Sequence, residues 1–253
     1  MSSKKLFVFE GQKTEFNIIK SLADNFSETF SDIFSSNDIR CAFCTTIYSL
    51  YKTISEDEYL DMFMLLKEKE FNKEMLRDVE RKDFSEIYLF FDYDGHTSNA
   101  SDKKLAEVID FFDEETEFGK IFISYPMVEA LKHLSTSIDF KHLKVPAKEN
   151  IRYKKIVNEN CDDKYIDFNN YTKEVWAELI DIHLKKMNFI VNDTFCVSNE
   201  IIPQIEIFES QLEKHIKIDS SISVLSAFPV FLFDYYGFRT INKLIQEKRI
   251  VGE

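Results

Sequence analysis

The sequence predicts an α/β fold, in which a largely parallel sheet is flanked by helices and followed by a mainly helical C-terminal portion. Two short apolar runs, Leu6–Phe9 and Ile87–Phe91, have the unbroken hydrophobic character of strands buried in a parallel sheet. Through the first part of the chain, such runs alternate with segments of helical periodicity, as they do in α/β proteins. We therefore expect an α/β domain at residues 1–145 and a mainly helical region at residues 146–253.

The elements of the α/β region follow from local signals. The predicted strands are residues 5–9, 38–44, 87–91 and 120–124. The predicted helices are residues 14–25, 46–55, 57–69, 101–112 and 126–134. Pro126 is placed first in its helix, because that position needs no backbone N–H.

The C-terminal region is predicted to hold three helices, at residues 171–187, 203–215 and 221–245, the last with breaks near Pro229 and Gly237. Residues 225–236 are the most apolar segment of the chain. This segment is too short to span a membrane, so we interpret it as a core helix or an oligomer interface, with the core favoured.

Composition restricts the function classes. The formal net charge of −13 argues against a protein that coats nucleic acid, but not against a nuclease, which needs carboxylates at its metal site and only a local basic track. No signal-peptide hydrophobic region and no run of about 20 apolar residues is present, which predicts a cytoplasmic protein that is not in a membrane. Cys41 and Cys44 form a CxxC spacing without partners for zinc, and we expect two partly buried thiols.

Acidic residues follow both buried runs. Glu10 and Glu15 come after the first run, and Asp92 and Asp94 after the later one. Ligand sites of parallel sheets lie beyond the carboxyl ends of the strands, and carboxylates gathered there repel each other unless a cation joins them. The pattern predicts a site for a hard divalent cation, Mg²⁺ or Mn²⁺, although Asp-Tyr-Asp-Gly taken alone is also a common turn and Glu10 alone a capping acid.

The two segments Phe-Val-Phe-Glu-Gly-Gln-Lys-Thr-Glu (residues 7–15) and Leu-Phe-Phe-Asp-Tyr-Asp-Gly-His (residues 89–96) resemble the two motifs of the Toprim fold. The Glu-Gly-x-x-Thr-Glu form is most similar to the OLD and RloB-like branch, which is often found in bacterial anti-phage systems beside an ATPase. The resemblance implies a Toprim-like domain whose metal ligands are Glu10, Asp92 and Asp94, with Glu15 as an additional one.

A third segment, Ile-Ser-Tyr-Pro-Met-Val-Glu-Ala-Leu (residues 123–131), resembles a stretch of RloB-like proteins and would place Ser124 and Glu129 near a second metal. Glu129 is equally well interpreted as a first-turn acid favoured by the helix dipole. Lys132, one turn later, is a candidate catalytic residue that neutralises transition-state charge, or else a solvated lysine. His96 is a candidate for contact with substrate phosphate.

These observations together predict a magnesium-dependent nuclease that cleaves phosphodiester bonds of DNA or RNA, tRNA included. By the resemblance, it would be the effector of an anti-phage defence system and would be held inactive by a partner such as an ATPase. The alternatives are a non-catalytic Toprim-like scaffold or nucleic-acid-binding module, and an enzyme of nucleotidyl or phosphoryl transfer. No GxxxxGK[ST] pattern is present, so we do not expect this chain to hydrolyse ATP itself. The candidate basic track for nucleic acid consists of Lys141, Lys144, Lys148, Arg152, Lys154 and Lys155, which a solvated linker explains equally well.

Overall fold

A computed structural model of the chain describes residues 4–30, 33, 38–56 and 61–251, the side chains of 248–251 excepted. The chain forms two compact units, which are described separately below. One comprises Met1–Asp92 and Asn99–Phe122, and the other comprises Tyr93–Ser98 and Ile123–Glu253.

The first unit is built on a five-stranded sheet with the order β2-β1-β3-β5-β4. Its strands are β1 (Lys4–Phe9), β2 (Ile39–Ala42), β3 (Phe84–Asp92), β4 (Asp113–Glu114) and β5 (Gly119–Ser124). Strand β1 pairs in parallel with both β2 and β3, whereas β4 pairs antiparallel with β5. The α/β fold with a mostly parallel sheet is therefore confirmed, and the four predicted strands are all present.

Among its described residues, the α-helices of this unit are α1 (Thr14–Phe26), α2 (Ile47–Glu56), α3 (Met62–Glu68) and α4 (Asp102–Phe111). Each corresponds to a predicted helix, although residues 57–60 of the predicted helix 57–69 lie outside the described residues. Helix α4 begins where expected, because Ser101 accepts a hydrogen bond from the amide of Lys104 at its N-terminus.

Aromatic side chains in register form the core of the sheet. Phe7 is paired with Tyr88 and Phe9 with Phe90, and the ring centroids of these pairs are 5.7 and 5.5 Å apart. Residues two apart on a strand share one face, so these rings form a ladder, and each aromatic contact adds about 0.5–1.5 kcal/mol beyond area burial. The ladder aligns β1 with β3 and so fixes where the two strands end.

The second unit is mainly helical, as predicted. Its helices are α5 (Tyr153–Asn160), α6 (Asp163–Ile166), α7 (Lys173–Asn192), α8 (Gln204–Gln211), α9 (Lys217–Asp219) and α10 (Ala227–Val251), with a π-helical turn at Leu212–Ile216. A two-stranded antiparallel ribbon joins β6 (Lys144–Pro146) to β7 (Ser221–Ser223). Among the residues that the structure describes, no helix has the length and apolar character needed to cross a bilayer.

Two helix predictions for this unit are wrong at their starts. Pro126 does not begin an α-helix, because the preceding Tyr125 stays extended and exchanges two backbone hydrogen bonds with Leu225, and only a 3₁₀ turn, Val128–Lys132, follows. Residues 221–223 form a strand because they pair with β6. Pro229 lies within the first turn of α10 without a break, whereas Gly237 interrupts the helix with φ +71°.

The apolar segment of α10 belongs to the core, as the favoured interpretation predicted. All six side chains from Phe228 to Phe233, including Pro229, are buried.

The buried lysine of α7 was not predicted. Lys186 is completely buried, and its ammonium group donates to the carbonyls of Phe140 (2.9 Å), Lys141 (2.7 Å) and Leu143 (2.9 Å). Burial lowers the pKa of Lys186 to about 7, while the three carbonyls favour the charged form.

Candidate functional site

The ends of β1 and β3 bring Glu10 and Asp92 together in the first unit. The amide of Glu10 donates to the carbonyl of Phe90 (3.0 Å), which continues the ladder one residue beyond β1. Oε2 of Glu10 in turn accepts a hydrogen bond from the amide of Asp92 (3.0 Å). Asp92 is the last residue of β3 and is buried. Two acids therefore lie at the carboxyl edge of the sheet, where the sequence predicted them.

Glu15 turns back from the first turn of α1 toward the same strand end. Its Oε1 accepts a hydrogen bond from the amide of Gly11 (2.9 Å), and the side chain is buried. A Cβ atom at position 11 would lie 2.8 Å from Oε2 of Glu15. Gly11 thus leaves room for the carboxylate to approach the backbone directly after Glu10.

In the second unit, Asp94 is held in a strained turn. It has φ +43°, in the left-handed region, and its amide donates to the carbonyl of Pro126 (3.4 Å). The next residue, Gly95, has no positive φ, but the backbone packs so closely there that a side chain would not fit. A Cβ at this position would lie 2.5 Å from the carbonyl oxygen of Ala147. Non-glycine residues in this backbone region carry some strain, which is smaller for Asp than for most residues, and they are enriched at functional sites.

Asp94 and Glu129 form a pair of buried acids within this unit. They are only 9% and 3% exposed, and Oδ1 of Asp94 and Oε2 of Glu129 are buried without a hydrogen-bond partner among the described residues. Burial raises the pKa of Asp94, the negative charge of Glu129 raises it further, and His96 acts in the opposite direction. Buried carboxyl groups with unpartnered oxygens destabilise the fold unless a proton or a cation compensates them.

A lysine and a histidine adjoin the pair. Nζ of Lys154 lies 3.4 Å from Oε1 of Glu129, although Lys154 itself is largely exposed. Nδ1 of His96 lies 4.0 Å from Oδ1 of Asp94, beyond hydrogen-bond distance. Neither contact reaches the unpartnered oxygen of Glu129, so the repulsion within the pair is only partly compensated.

The carboxylate oxygens of this pair suit a hard divalent cation. In the part of the chain that the structure describes, no group of three or more His, Cys, Asp or Glu side chains is arranged to hold a metal ion. Mg²⁺, however, is commonly bound through one or two carboxylates, with waters and substrate phosphates completing its shell. Asp94 and Glu129 fit that mode of binding.

The other predicted residues have defined partners. Lys132 is buried, and its Nζ donates to Oδ1 of Asn158 (2.8 Å) and to the carbonyl of Ile166 (3.2 Å), 5.3 Å from the centroid of the Phe168 ring. Oγ of Ser124 accepts a hydrogen bond from the amide of Ala227 (3.2 Å). Both side chains thus join segments of the second unit that are distant in sequence.

The basic track is only partly gathered in one place. A cavity of about 590 Å³ in the second unit is lined by Arg152, Lys154 and Lys155, together with His96. Lys144 instead pairs with Asp219. This cavity had no sequence signal, because five separate stretches of the chain contribute to it, at residues 95–96, 126–127, 146–147, 149–155 and 158–159.

The burial predicted for both thiols is found for Cys41 but not for Cys44. Cys41 and Cys44 are both free, the first buried and the second exposed. Burial raises the pKa of Cys41 to about 12, which makes its thiol unreactive at neutral pH.

With this geometry established, the chain was compared with known proteins. No protein-family model, no curated protein and no solved structure matches it.

Proposed function

We propose that this protein is a metal-dependent nuclease of the Toprim type, similar to the OLD and RloB-like branch, that cleaves phosphodiester bonds of DNA or RNA. The observation that carries the proposal is the buried pair Asp94 and Glu129, each with an oxygen that has no partner among the described residues. A protein that used these acids only for folding would be expected to satisfy them with donors, because an unpaired buried polar atom is destabilising.

Two further observations support the proposal. Glu10 and Asp92 lie at the carboxyl edge of a mostly parallel sheet, where the chemistry of such folds is usually found. Asp94 occupies a left-handed backbone conformation, which the chain maintains despite its strain.

The proposal assigns Glu10, Asp92 and Asp94 to metal binding, with Glu15 and Glu129 as additional ligands. Bound Mg²⁺ or Mn²⁺ would polarise the phosphoryl oxygen and lower the pKa of a coordinated water. Asp94 and Glu129 hold the negative charge that attracts the ion, and His96 contacts a substrate phosphate. Lys132 has a supporting role, since its ammonium group orients Asn158.

The proposed biological setting is a bacterial anti-phage defence system, in which a partner such as an ATPase keeps the nuclease inactive. This part of the proposal comes from the resemblance of residues 7–15 and 89–96 to the Toprim motifs. It predicts that the purified chain cleaves weakly alone, and that co-expression with its partner alters the rate.

A second candidate function is a non-catalytic nucleic-acid-binding module. It is favoured by the finding that no group of three metal-binding side chains occurs among the described residues. In that case the pair would share a proton rather than a metal ion, and Lys154 would serve only to balance Glu129.

The test is a cleavage assay on plasmid DNA, single-stranded DNA and total tRNA with Mg²⁺ or Mn²⁺. The wild type is compared with Asp94→Asn and Glu129→Gln, and with Asp110→Asn as a matched control on the exposed face of α4. Calorimetric titration with Mn²⁺ gives a readout that does not depend on activity. Cleavage and Mn²⁺ binding that both disappear in the two site variants, but not in the control, would support the nuclease. Absence of Mn²⁺ binding by the wild type would refute it and favour the binding module.

A further inference from the structure

Three cationic side chains, Arg152, Lys154 and Lys155, contribute to the lining of the cavity in the second unit, together with the acids Glu149 and Glu159. Nζ of Lys154 lies 3.4 Å from Oε1 of Glu129, and Nζ of Lys155 lies 3.6 Å from Oε1 of Glu159. No acidic residue in the described part of the chain forms an ion pair with Arg152, which directly precedes α5. Arg152 is therefore the main group with charge to offer an anion there, and Lys154 lies two residues further along the chain.

The start of α5 adds to this positive character. Arg152, with φ +53°, immediately precedes the helix, and no described side chain caps the helix at that end. The partial positive charge of a helix N-terminus favours anions, phosphate among them. The contribution is secondary to that of the Arg152 and Lys154 side chains, since α5 has only eight residues.

Apolar residues form another part of the cavity lining, the apolar wall. Pro126, Met127, Pro146 and Ile151 contribute to its lining, and Ile151 directly precedes Arg152. The volume of about 590 Å³ lies within the range of small-molecule sites. A phosphate alone would leave most of this space empty, so the cavity suits a ligand that joins an anionic group to a flat apolar one.

One amide is fixed at the wall of the cavity. Asn158 lines it, and Oδ1 of Asn158 accepts the hydrogen bond from the buried Lys132. No acceptor for its Nδ2 group is found among the described residues. Lys132 thus acts as a positioning residue, which holds Asn158 so that its amide can donate to a polar edge of the ligand.

We propose that this cavity binds one nucleotide unit of a single-stranded nucleic acid, with the phosphate at Arg152 and Lys154 and the base against the apolar wall. The inference rests on the proposed nuclease function and specifies its substrate class. A base in a duplex is stacked and paired, so it would have to be extruded before it could enter such a cavity. A single strand requires no extrusion and is therefore the preferred substrate.

The position of Lys154 links the cavity to the acidic pair. Its Nζ contacts Glu129, one of the two acids with an unpartnered oxygen. His96 lines the cavity as well, 4.0 Å from Oδ1 of Asp94. A nucleotide bound here would place its phosphate beside the residues that are proposed to bind the metal.

The experiment measures binding without cleavage. Fluorescence anisotropy in EDTA compares labelled single strands of about 12 nucleotides, DNA and RNA, with the duplex of the same sequence, over a series of salt concentrations. The variants are Arg152→Gln for the phosphate contact and Ile151→Ser for the apolar wall. Arg77→Gln is the matched control, because Arg77 is exposed in the first unit. Adenosine monophosphate, adenosine and inorganic phosphate are used as competitors.

We expect the single strand to bind more tightly than the duplex. Arg152→Gln should weaken binding about tenfold and reduce the slope of log K against log salt by about 0.7, the value for one phosphate contact on a single strand. Ile151→Ser should weaken binding without a change in slope. Adenosine monophosphate should compete at concentrations where adenosine and inorganic phosphate do not. The comparison of DNA strands with RNA strands shows which sugar the cavity prefers.

The inference is overturned if Arg152→Gln binds as the wild type does, if the duplex is preferred, or if inorganic phosphate competes as well as the mononucleotide. Its failure is distinguishable from failure of the proposed function. Binding in EDTA that depends on Arg152, without Mn²⁺-dependent cleavage, would support the cavity and refute the nuclease. Cleavage that depends on Asp94 and is unchanged in Arg152→Gln and Ile151→Ser would support the nuclease and refute the cavity.

Discussion

The carboxylate of Glu10 accepts a hydrogen bond from the backbone amide of Asp92, at 3.0 Å and across 82 residues of sequence. The contact joins the first residue after β1 to the last residue of β3. A glutamate at this place therefore has a structural task in addition to its proposed role in metal binding. The two roles can be separated by mutation, because metal binding requires the negative charge, whereas the hydrogen bond with Asp92 requires only an oxygen that accepts.

Glu10→Gln should separate them. Glutamine retains a carbonyl oxygen that can accept from the Asp92 amide, so the free energy of unfolding should change by less than about 1 kcal/mol. Metal-dependent cleavage should fall at least about tenfold, since the charge is lost. Chemical denaturation and the cleavage assay measure the two effects.

Glu10→Ala is the companion variant. It removes the acceptor as well as the charge and should destabilise the protein by about 1 kcal/mol more than Glu10→Gln does. Equal stability of the two variants would contradict the structural role of the carboxylate. Full cleavage activity in Glu10→Gln would contradict its role in metal binding.

Strand ends were predictable because they depend on local hydrophobicity. The run Ile87–Phe91 is apolar throughout, and the polar residues that follow mark the edge of the sheet. The juxtaposition of Glu10 and Asp92 then follows from the parallel pairing of β1 and β3 alone. The position of these two acids in the first unit needed no information beyond the pattern of the chain.

The surroundings of Glu129 in the second unit depend on pairing between residues distant in sequence. A helix from Pro126 to Leu134 was expected, but Tyr125 pairs with Leu225, about a hundred residues later, and no local signal encodes that partner. A 3₁₀ turn forms in place of the expected helix, and Glu129 is buried within it. The strand at Ser221–Ser223 was missed for the same reason, since it exists through its pairing with β6.

The buried histidine of α7 should make stability depend on pH. His183 is completely buried; its Nε2 lies 3.2 Å from the carbonyl oxygen of Leu131, and its Nδ1 accepts from the amide of Ser226 (3.2 Å), which requires a neutral ring. Burial and, to a smaller extent, the charge of Lys186 lower its pKa to about 3, against the opposing effect of the hydrogen bond with the Leu131 carbonyl. Between pH 3 and the ordinary value of 6.5, the unfolded chain therefore binds more protons than the folded one.

Stability should consequently decrease as the pH falls through this window, by up to about 1.4 kcal/mol per pH unit from this one group. His133, whose pKa burial lowers to about 4, acts in the same direction. Urea denaturation of the wild type and of His183→Gln at several pH values is the measurement. The variant should show a shallower slope than the wild type over this window.

The buried ammonium group of Lys186 should stabilise the second unit through its three carbonyl partners. Lys186→Met fills a similar volume but leaves those carbonyls without their donor, and we expect a loss of about 3 kcal/mol. Lys243→Met, at an exposed lysine of α10, is the control and should change stability by less than about 0.5 kcal/mol. Thermal and urea unfolding report both values, and an unchanged midpoint in Lys186→Met would show that the carbonyls find other donors.

The space around Gly95 should tolerate no side chain. A Cβ there would lie 2.5 Å from the carbonyl oxygen of Ala147 and 2.3 Å from the Tyr93 ring, and a backbone carbonyl cannot rotate away as a side chain can. Gly95→Ala should therefore destabilise the protein by about 2 kcal/mol and weaken single-strand binding, because Gly95 lines the cavity.

Gly237→Ala is the matched comparison for Gly95→Ala. Gly237 has φ +71°, but nothing lies within 4 Å of its missing Cβ, so the variant suffers only backbone strain of about 1 kcal/mol. Its affinity for a single strand should equal that of the wild type, since Gly237 does not line the cavity. Gly95→Ala with the stability and affinity of the wild type would mean that the turn after Asp94 can move away from Ala147 without loss. The close approach would then have no part in shaping the cavity.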